Sequence, residues 1–136
     1  MTKTEMLPLW SAAFGGFVGS FIGGWDGFIK ALVMFCALDL LTGSLAALKS
    51  KKYSCSAAFW GLTRKCLIFA IVAVGVEVDA AFIGDGSIVR TAVIFFYASV
   101  EGVSVIENAG KLGVPIPKKL TNMLRSLDDK EEGKNE

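Results

Sequence analysis

The chain has 136 residues, of which 53% are hydrophobic and 20% are charged, and its mean hydropathy is +0.54. Because the apolar residues are concentrated in blocks, this composition excludes a disordered chain and favours an integral membrane protein. The net charge of +1 argues against nucleic acid as a partner, and the sequence contains no histidine, which is the commonest metal ligand and general base.

Four apolar stretches are long enough to cross a bilayer, whose hydrocarbon core needs about 20 helical residues. They cover about residues 6–25, 27–48, 65–84 and 87–106, and together they predict an all-α transmembrane bundle over residues 1–110. The first stretch is rich in glycine, so it either crosses the membrane or lies flat at the interface. A cleaved signal peptide fits this stretch less well, because it has no clear charged start or cleavage site.

Lysine and arginine lie on one side of the predicted crossings. The only charges in the two connections on the other side are Asp26 and Asp85. Positively charged loops stay in the cytoplasm, so the sequence predicts that both termini are cytoplasmic.

Residues 53–62 are predicted to form either a plain loop or an interfacial helix. The basic residues expected at the membrane surface are Lys49, Lys51, Lys52, Arg64, Lys65, Lys118, Lys119 and Arg125.

Two parallel rows of small residues follow the first apolar stretch at four-residue steps. Small residues at this spacing let two helix backbones approach closely, which is how helices associate in lipid. The rows are either an oligomerisation face or a surface for tight packing within one monomer. They consist of Gly15, Gly19 and Gly23, and of Gly16, Ser20 and Gly24.

Polar and ionisable residues interrupt the other three stretches. A charged residue near the bilayer centre, such as Asp39, costs about 2.5–3.5 kcal/mol on insertion scales and must face protein or water. These residues either line a water-filled path or form polar pairs that fix the bundle. Glu77 and Asp79 are within reach of Arg90. The full set is Asp39, Thr42, Gly43, Glu77, Asp79, Arg90, Glu101, Ser104, Glu107 and Asn108.

The C-terminal region divides into two parts. Residues 111–127 are predicted to be a juxtamembrane segment in which Pro117 starts a short amphipathic helix, either docked on the membrane surface or undocked. Residues 128–136 are highly charged and predicted to be disordered. The sequence holds no catalytic motif, metal site or cofactor site that we recognise, so we expect a protein that is not an enzyme.

Two segments carry a resemblance to a known family. The first contains an Asp-Leu-Leu-Thr-Gly element, and the second contains a Ser-x-x-Glu-Asn string followed by Leu-Gly-x-Pro-x-Pro. Over about residues 38–124 the chain resembles the phage holin family that includes the clostridial toxin-secretion holins. The residues that carry this resemblance are Asp39, Thr42, Gly43, Ser56, Gly61, Lys65, Glu101, Ser104, Glu107, Asn108, Gly113, Pro115 and Pro117.

The resemblance implies a multi-pass protein of the bacterial cytoplasmic membrane that assembles with copies of itself, at a programmed time, into lesions or pores. An endolysin or a toxin would cross through these lesions, and the host cell would lyse. Four helices fill their own centre with side chains, so a wide hole needs many subunits. Two other functions stay open. One is a small four-helix proton-coupled transporter that uses a carboxylate such as Asp39, and the other is an antiholin or scaffold that forms no pore.

Overall fold

The computed structural model describes residues 2–84, 86–123 and 126, and over these residues it contains helices and no strands. The helices are α1 (Lys3–Ile22), α2 (Gly27–Lys49), α3 (Cys55–Val78) and α4 (Ile88–Lys111). A π-helical turn, Asp79–Ile83, continues α3 directly. This architecture confirms the all-α prediction.

Three of the helices are long and apolar enough to cross a membrane: α2, α3 with its π-helical turn, and α4. The first helix, α1, is not among them, although its 20 residues span about 30 Å at the usual helical rise. Its glycines lower its hydropathy, and Lys3 and Glu5 lie in its first turn. The three helices therefore establish a membrane bundle, and the fourth crossing stays a prediction.

Local side-chain caps explain where the helices begin. The carboxylate of Asp26 accepts a hydrogen bond from the backbone N–H of Ile29 at 3.0 Å, which caps α2. The hydroxyl of Ser54 accepts from the N–H of Ala57 at 3.1 Å, which caps α3. Caps of this kind satisfy backbone donors that have no partner within the helix.

The third helix begins at Cys55, well before residue 65, where the apolar stretch starts. Ser54 supplies the cap, and residues 55–64 contain no proline to interrupt a helix. The segment considered as a loop or an interfacial helix is therefore mostly the first part of α3. Because of this extension, Lys65 lies within a long continuous helix and not at its start.

The helices pack around a small core, and most of the large apolar side chains remain on the outside. α2 packs along α4, and α3 packs on α4 and α1. An apolar exterior of this kind suits a protein surrounded by lipid. The buried apolar residues are Ile22, Ile29, Leu32, Cys36, Ile68, Val72 and Ile94.

A short helical segment follows α4 over residues 118–123, directly after Pro117. The carbonyl of Pro117 accepts hydrogen bonds from the N–H groups of Leu120 and Thr121, as expected where proline starts a helix. The remainder of the predicted amphipathic helix, apart from Ser126, and the charged end at residues 128–136 lie outside the described residues. Asp85 and Arg125 lie outside them as well.

Candidate membrane-embedded polar site

Three charged side chains from three different helices meet inside the bundle. The ammonium of Lys65 on α3 donates to Asp39 on α2 and to Glu101 on α4, with a distance of 2.6 Å to each carboxylate. All three side chains are largely buried, with exposed fractions of 12%, 17% and 8%. We call Asp39, Lys65, Glu101 and Asn108 the polar cluster.

Asn108 connects the polar cluster to the next turn of α2. Its side-chain amide donates to the second carboxylate oxygen of Asp39 at 3.0 Å and to the hydroxyl of Thr42 at 3.1 Å. A methyl group at Gly43 would lie 3.4 Å from the same amide nitrogen, so α2 and α4 approach closely here. Both oxygens of Asp39 therefore have donors.

The polar cluster holds two carboxylates and one ammonium in a low-dielectric setting. Removing charges from water is costly, and their mutual attraction offsets this cost only where the hydrogen-bond geometry is good. The 2.6 Å contacts on both sides of Lys65 meet that requirement. Because each partner comes from a different helix, the polar cluster fixes α2, α3 and α4 relative to one another.

A cavity of about 530 Å³ lies beside the polar cluster, between the first part of α3 and the α2–α4 pair. It extends from the connection at residues 52–54 along α3 as far as Ile71. Asp39, Lys65 and Glu101 are in its wall, and Ser104 and Asn108 line it too. The polar cluster is thus next to a partly open cavity and is not sealed within a solid core.

A second group of charges lies at the opposite end of the bundle. The guanidinium of Arg90 on α4 contacts the carboxylate of Asp26 at 2.6 Å. It also donates to the backbone carbonyls of Ile22 at 2.6 Å and Gly24 at 3.1 Å. Arg90 therefore satisfies carbonyls at the end of α1 and joins the α1–α2 connection to α4. We call this arrangement the Arg90 latch.

Two aspartates support the Arg90 latch. The buried carboxylate of Asp79 accepts hydrogen bonds from the backbone N–H groups of Val89 and Arg90, both at 2.9 Å, and so caps α4. Asp26 is outside the predicted membrane spans. The hydrogen bond from Arg90 holds the pKa of its carboxyl below the ordinary value of 3.8, while burial acts in the other direction.

The structure brings some of the predicted polar residues together and leaves others apart. Asp39, Thr42, Gly43, Glu101 and Asn108 meet at the polar cluster, where α2 packs along α4. Of the three other acidic residues in that set, Glu77 and Glu107 are exposed, and Asp79 is buried at the start of α4.

Two charge pairings were not found from the sequence. Lys65 was expected at the membrane surface, but the structure differs, since α3 starts early and carries its ammonium between two carboxylates. Arg90 was considered as a partner of Glu77 and Asp79, but its guanidinium pairs with Asp26. The carboxylate of Asp79 accepts hydrogen bonds from the backbone N–H groups of Val89 and Arg90 at the start of α4. The signal in the sequence that could have predicted the first pairing is the presence of two intramembrane acids, Asp39 and Glu101, with the basic residue Lys65.

The two predicted rows of small residues have different surroundings, and α1 ends at Ile22, so Gly23 and Gly24 lie beyond it with positive φ. A methyl group at Gly19 would lie 2.8 Å from the indole nitrogen of Trp25, and one at Gly23 would lie 2.7 Å from Arg90. The carbonyl of Gly15 accepts a hydrogen bond from Trp25 at 2.9 Å. In the other row, Gly16 and Ser20 are exposed. Nothing lies within 4 Å of a methyl group built on Gly16 or Gly24.

The remaining basic residues lie on the surface. Lys49 donates to the carbonyl of Lys111 at 3.2 Å and so joins the ends of α2 and α4. The others are exposed: Lys51, Lys52, Arg64, Lys118 and Lys119.

Comparison with known proteins agrees with the family resemblance found in the sequence. The sequence model of the bacteriophage holin family matches residues 16–129. An uncharacterised 14.9 kDa protein from the nagH 3′ region of Clostridium perfringens is 38% identical over 108 residues, which cover 79% of this chain and 82% of that protein. An uncharacterised Listeria monocytogenes protein is 33% identical over 117 residues, 86% of this chain and 83% of that protein. A probable holin of Bacillus phage phi105 is 29% identical over 109 residues, 80% of each chain. No solved structure matches.

Proposed function

The chain belongs to the bacteriophage holin family, and we propose that it oligomerises in the bacterial cytoplasmic membrane into timed lesions. An endolysin or a toxin crosses through these lesions, and the host cell lyses. Family membership points to a non-enzymatic protein, and the three apolar helices make it a multi-pass protein of the cytoplasmic membrane.

The observation that carries this proposal is the polar cluster. Four helices of this size leave no wide channel in their centre, so a lesion that passes a folded protein has to be built from many chains. Inside one chain, the contacts of Lys65 with Asp39 and Glu101 keep the charges away from lipid. In our proposal, assembly separates α3 from α2 and α4, and the same polar residues then line water.

We propose that all four helices cross the membrane and that both termini are cytoplasmic. The length of α1 matches the hydrocarbon core of about 30 Å. The connection at residues 50–54, which carries Lys51 and Lys52, faces the cytoplasm under the positive-inside rule. Asp26 and the Arg90 latch are then at the outer surface.

An assembly surface is available on α1. Gly16 and Ser20 are exposed on α1, whereas Gly19 and Gly23 already contact Trp25 and Arg90, and the carbonyl of Gly24 is part of the Arg90 latch. Small residues at four-residue steps favour close helix pairing in lipid. This supports an oligomerisation face at Gly16 and Ser20, with Gly19 and Gly23 used for packing within the monomer.

The experiment that tests the proposal follows membrane potential and release of a cytosolic fluorescent protein in single bacterial cells after induction. A holin is expected to give a silent interval, then abrupt depolarisation and escape of the folded reporter. A gradual drift of potential with no protein release would contradict large lesions.

Substitutions in the polar cluster connect this behaviour to the site. We expect Asp39→Asn and Glu101→Gln to shift the time of lysis, since each weakens the contacts that keep the cluster closed. Glu107→Gln makes the same chemical change six residues further along α4, at an exposed position outside the cluster, and should leave timing unchanged. Unchanged timing in both cluster variants would exclude the mechanism.

A proton-coupled transporter, working as a dimer, is the second candidate, because the polar cluster lies beside a cavity of about 530 Å³. It predicts gradual proton flux in sealed vesicles that is abolished by Asp39→Asn, with no release of protein. An antiholin or scaffold of the same fold predicts neither flux nor release when expressed alone. The single-cell measurement with this vesicle assay therefore separates all three functions.

A further inference from the structure

The cavity beside the polar cluster has two chemically different ends. Its polar part, which we call the entrance, is lined by Lys52, Tyr53 and Ser54 at the connection between α2 and α3 and by Arg64 further along α3. The rest of the cavity continues along the bundle, where apolar side chains line it beside the polar cluster. The apolar lining residues there are Leu40, Leu67, Ile68, Ile71, Tyr97 and Val100.

Positive charge dominates the entrance. Over residues 2–84, 86–123 and 126, neither Lys52 nor Arg64 forms an ion pair. The carboxylates of Asp39 and Glu101 also line the cavity, but each already lies 2.6 Å from the ammonium of Lys65. Counting all charged lining residues, the cavity has three cations and two carboxylates.

The start of α3 adds to this field. Ser54, Ala57 and Ala58, which form its cap and first turn, are in the cavity wall. Backbone N–H groups at a helix N-terminus carry partial positive charge and favour anions. Two exposed cations and a helix N-terminus therefore line one cavity, which also has an apolar part.

We propose that this cavity binds an anionic phospholipid. Its phosphate lies at the entrance near Lys52 and Arg64, and the portion of an acyl chain nearest the headgroup lies in the apolar part. A volume of about 530 Å³ is within the usual range of small-molecule sites, roughly 300–1,000 Å³. Basic pockets between transmembrane helices on the cytoplasmic side are suited to anionic headgroups. The lipid occupies the space that keeps α3 apart from α2.

The test uses the full-length protein in detergent micelles and native mass spectrometry. Binding of dioleoyl phosphatidylglycerol is compared with binding of dioleoyl phosphatidylcholine, which has the same acyl chains and no net charge. We expect phosphatidylglycerol to bind more tightly by roughly tenfold or more. Equal affinity for the two lipids would overturn the proposal. If neither lipid bound selectively, the proposal would also be overturned. This holds both for an empty cavity and for a cavity occupied by the acidic residues 128–136.

Matched variants locate the lipid. Lys52→Gln with Arg64→Gln removes two charges from the entrance, and we expect the preference for phosphatidylglycerol to fall by roughly tenfold. Lys30→Gln with Lys51→Gln removes two exposed charges that are not in the cavity wall. This control pair should change the preference for phosphatidylglycerol by less than about twofold. Equal losses in both pairs would mean non-specific attraction and would overturn the site.

Two further arms complete the test. Ala57→Phe fills the entrance without changing charge and should also reduce phosphatidylglycerol binding, while an unchanged helical circular dichroism spectrum shows that the variant folds. Added inorganic phosphate should leave the lipid bound, since it lacks an acyl chain. Displacement of the lipid by phosphate would mean a site for the free anion. Micelle binding requires no lesion, so failure here is distinct from failure of the proposed holin function.

Discussion

At the scale of single residues, Lys65 is the centre of the polar cluster. Its ammonium contacts a carboxylate on α2 and another on α4 at the same time, at 2.6 Å on each side. The residues it joins are 26 and 36 positions away along the chain. Its role therefore depends on helix packing and not on any local motif.

We expect Lys65→Met to destabilise the protein by about 3–5 kcal/mol, because two buried carboxylates lose their shared counter-charge. Lys51→Met is the matched control, since Lys51 is exposed and close in the chain, and it should change stability by less than about 0.5 kcal/mol. Unfolding in mixed detergent micelles measures both values. Similar effects of the two substitutions would show that the ion pairs contribute little.

Asp26 gives a prediction about pH. Its pKa in the folded protein is below the ordinary value of 3.8 because Arg90 donates to the carboxylate. The unfolded chain therefore binds the proton more readily, and the contribution of this contact is fully present above about pH 4. It is lost as the pH falls through the lower, folded-state pKa.

The measurement compares the free energy of unfolding of the wild type and of Asp26→Asn between pH 7 and pH 3. We expect the wild type to be more stable at pH 7 and the difference to narrow as the pH falls below about 4. A difference that stays constant over this range would mean that the charge of Asp26 does not contribute.

At the scale of elements, the end of α1 depends on the conformation of one glycine. Gly23 has a φ of +78°, in the left-handed region, and ends the helix with a hydrogen bond to the carbonyl of Gly19. Arg90 lies so close that a methyl group on Gly23 would be 2.7 Å from its side chain. The turn from α1 to α2 and the Arg90 latch therefore require glycine at this position.

Gly23→Ala should cost at least about 1–2 kcal/mol from the left-handed backbone alone, with a further loss from displacement of Arg90. Gly16→Ala, on the same helix but in open surroundings, should be neutral or stabilising by about 0.5–1 kcal/mol. Thermal unfolding in micelles distinguishes them. If the Gly23→Ala variant were as stable as the Gly16→Ala variant, the close packing of Arg90 against Gly23 at the end of α1 would be contradicted.

At the scale of the whole molecule, the open question is whether α1 crosses the membrane. Three helices after it meet the length and composition of a span, and α1 does not reach the same hydropathy. With three crossings, the two ends of the chain would lie on opposite sides of the membrane. With four, both ends are cytoplasmic, as we propose.

Labelling with a membrane-impermeant maleimide decides between these arrangements. One variant keeps Cys55 as its single cysteine, and the other has only Thr2→Cys; both positions are exposed. We expect both to react in inside-out vesicles and neither to react in intact protoplasts. Labelling of Thr2→Cys alone in protoplasts would mean that α1 does not cross.

The sequence by itself determined the membrane character of the chain, its helical class and much of its polar site. Apolar runs of bilayer length leave helices as the main choice, because backbone groups in lipid must pair within the segment. The spacing of Asp39 and Thr42 on one helix and of Glu101 and Asn108 on another followed from helical periodicity. The family resemblance also followed from residues that are visible in the sequence.

Only the tertiary structure decided which residues meet. Lys65 pairs with Asp39 and Glu101, and Arg90 pairs with Asp26, because packing of distant helices brings them within 2.6 Å. Periodicity assigns a residue to a face of its own helix but does not say which helix lies opposite. The cavity beside the polar cluster has the same origin, since it is the space left where the first part of α3 lies apart from α2 and α4.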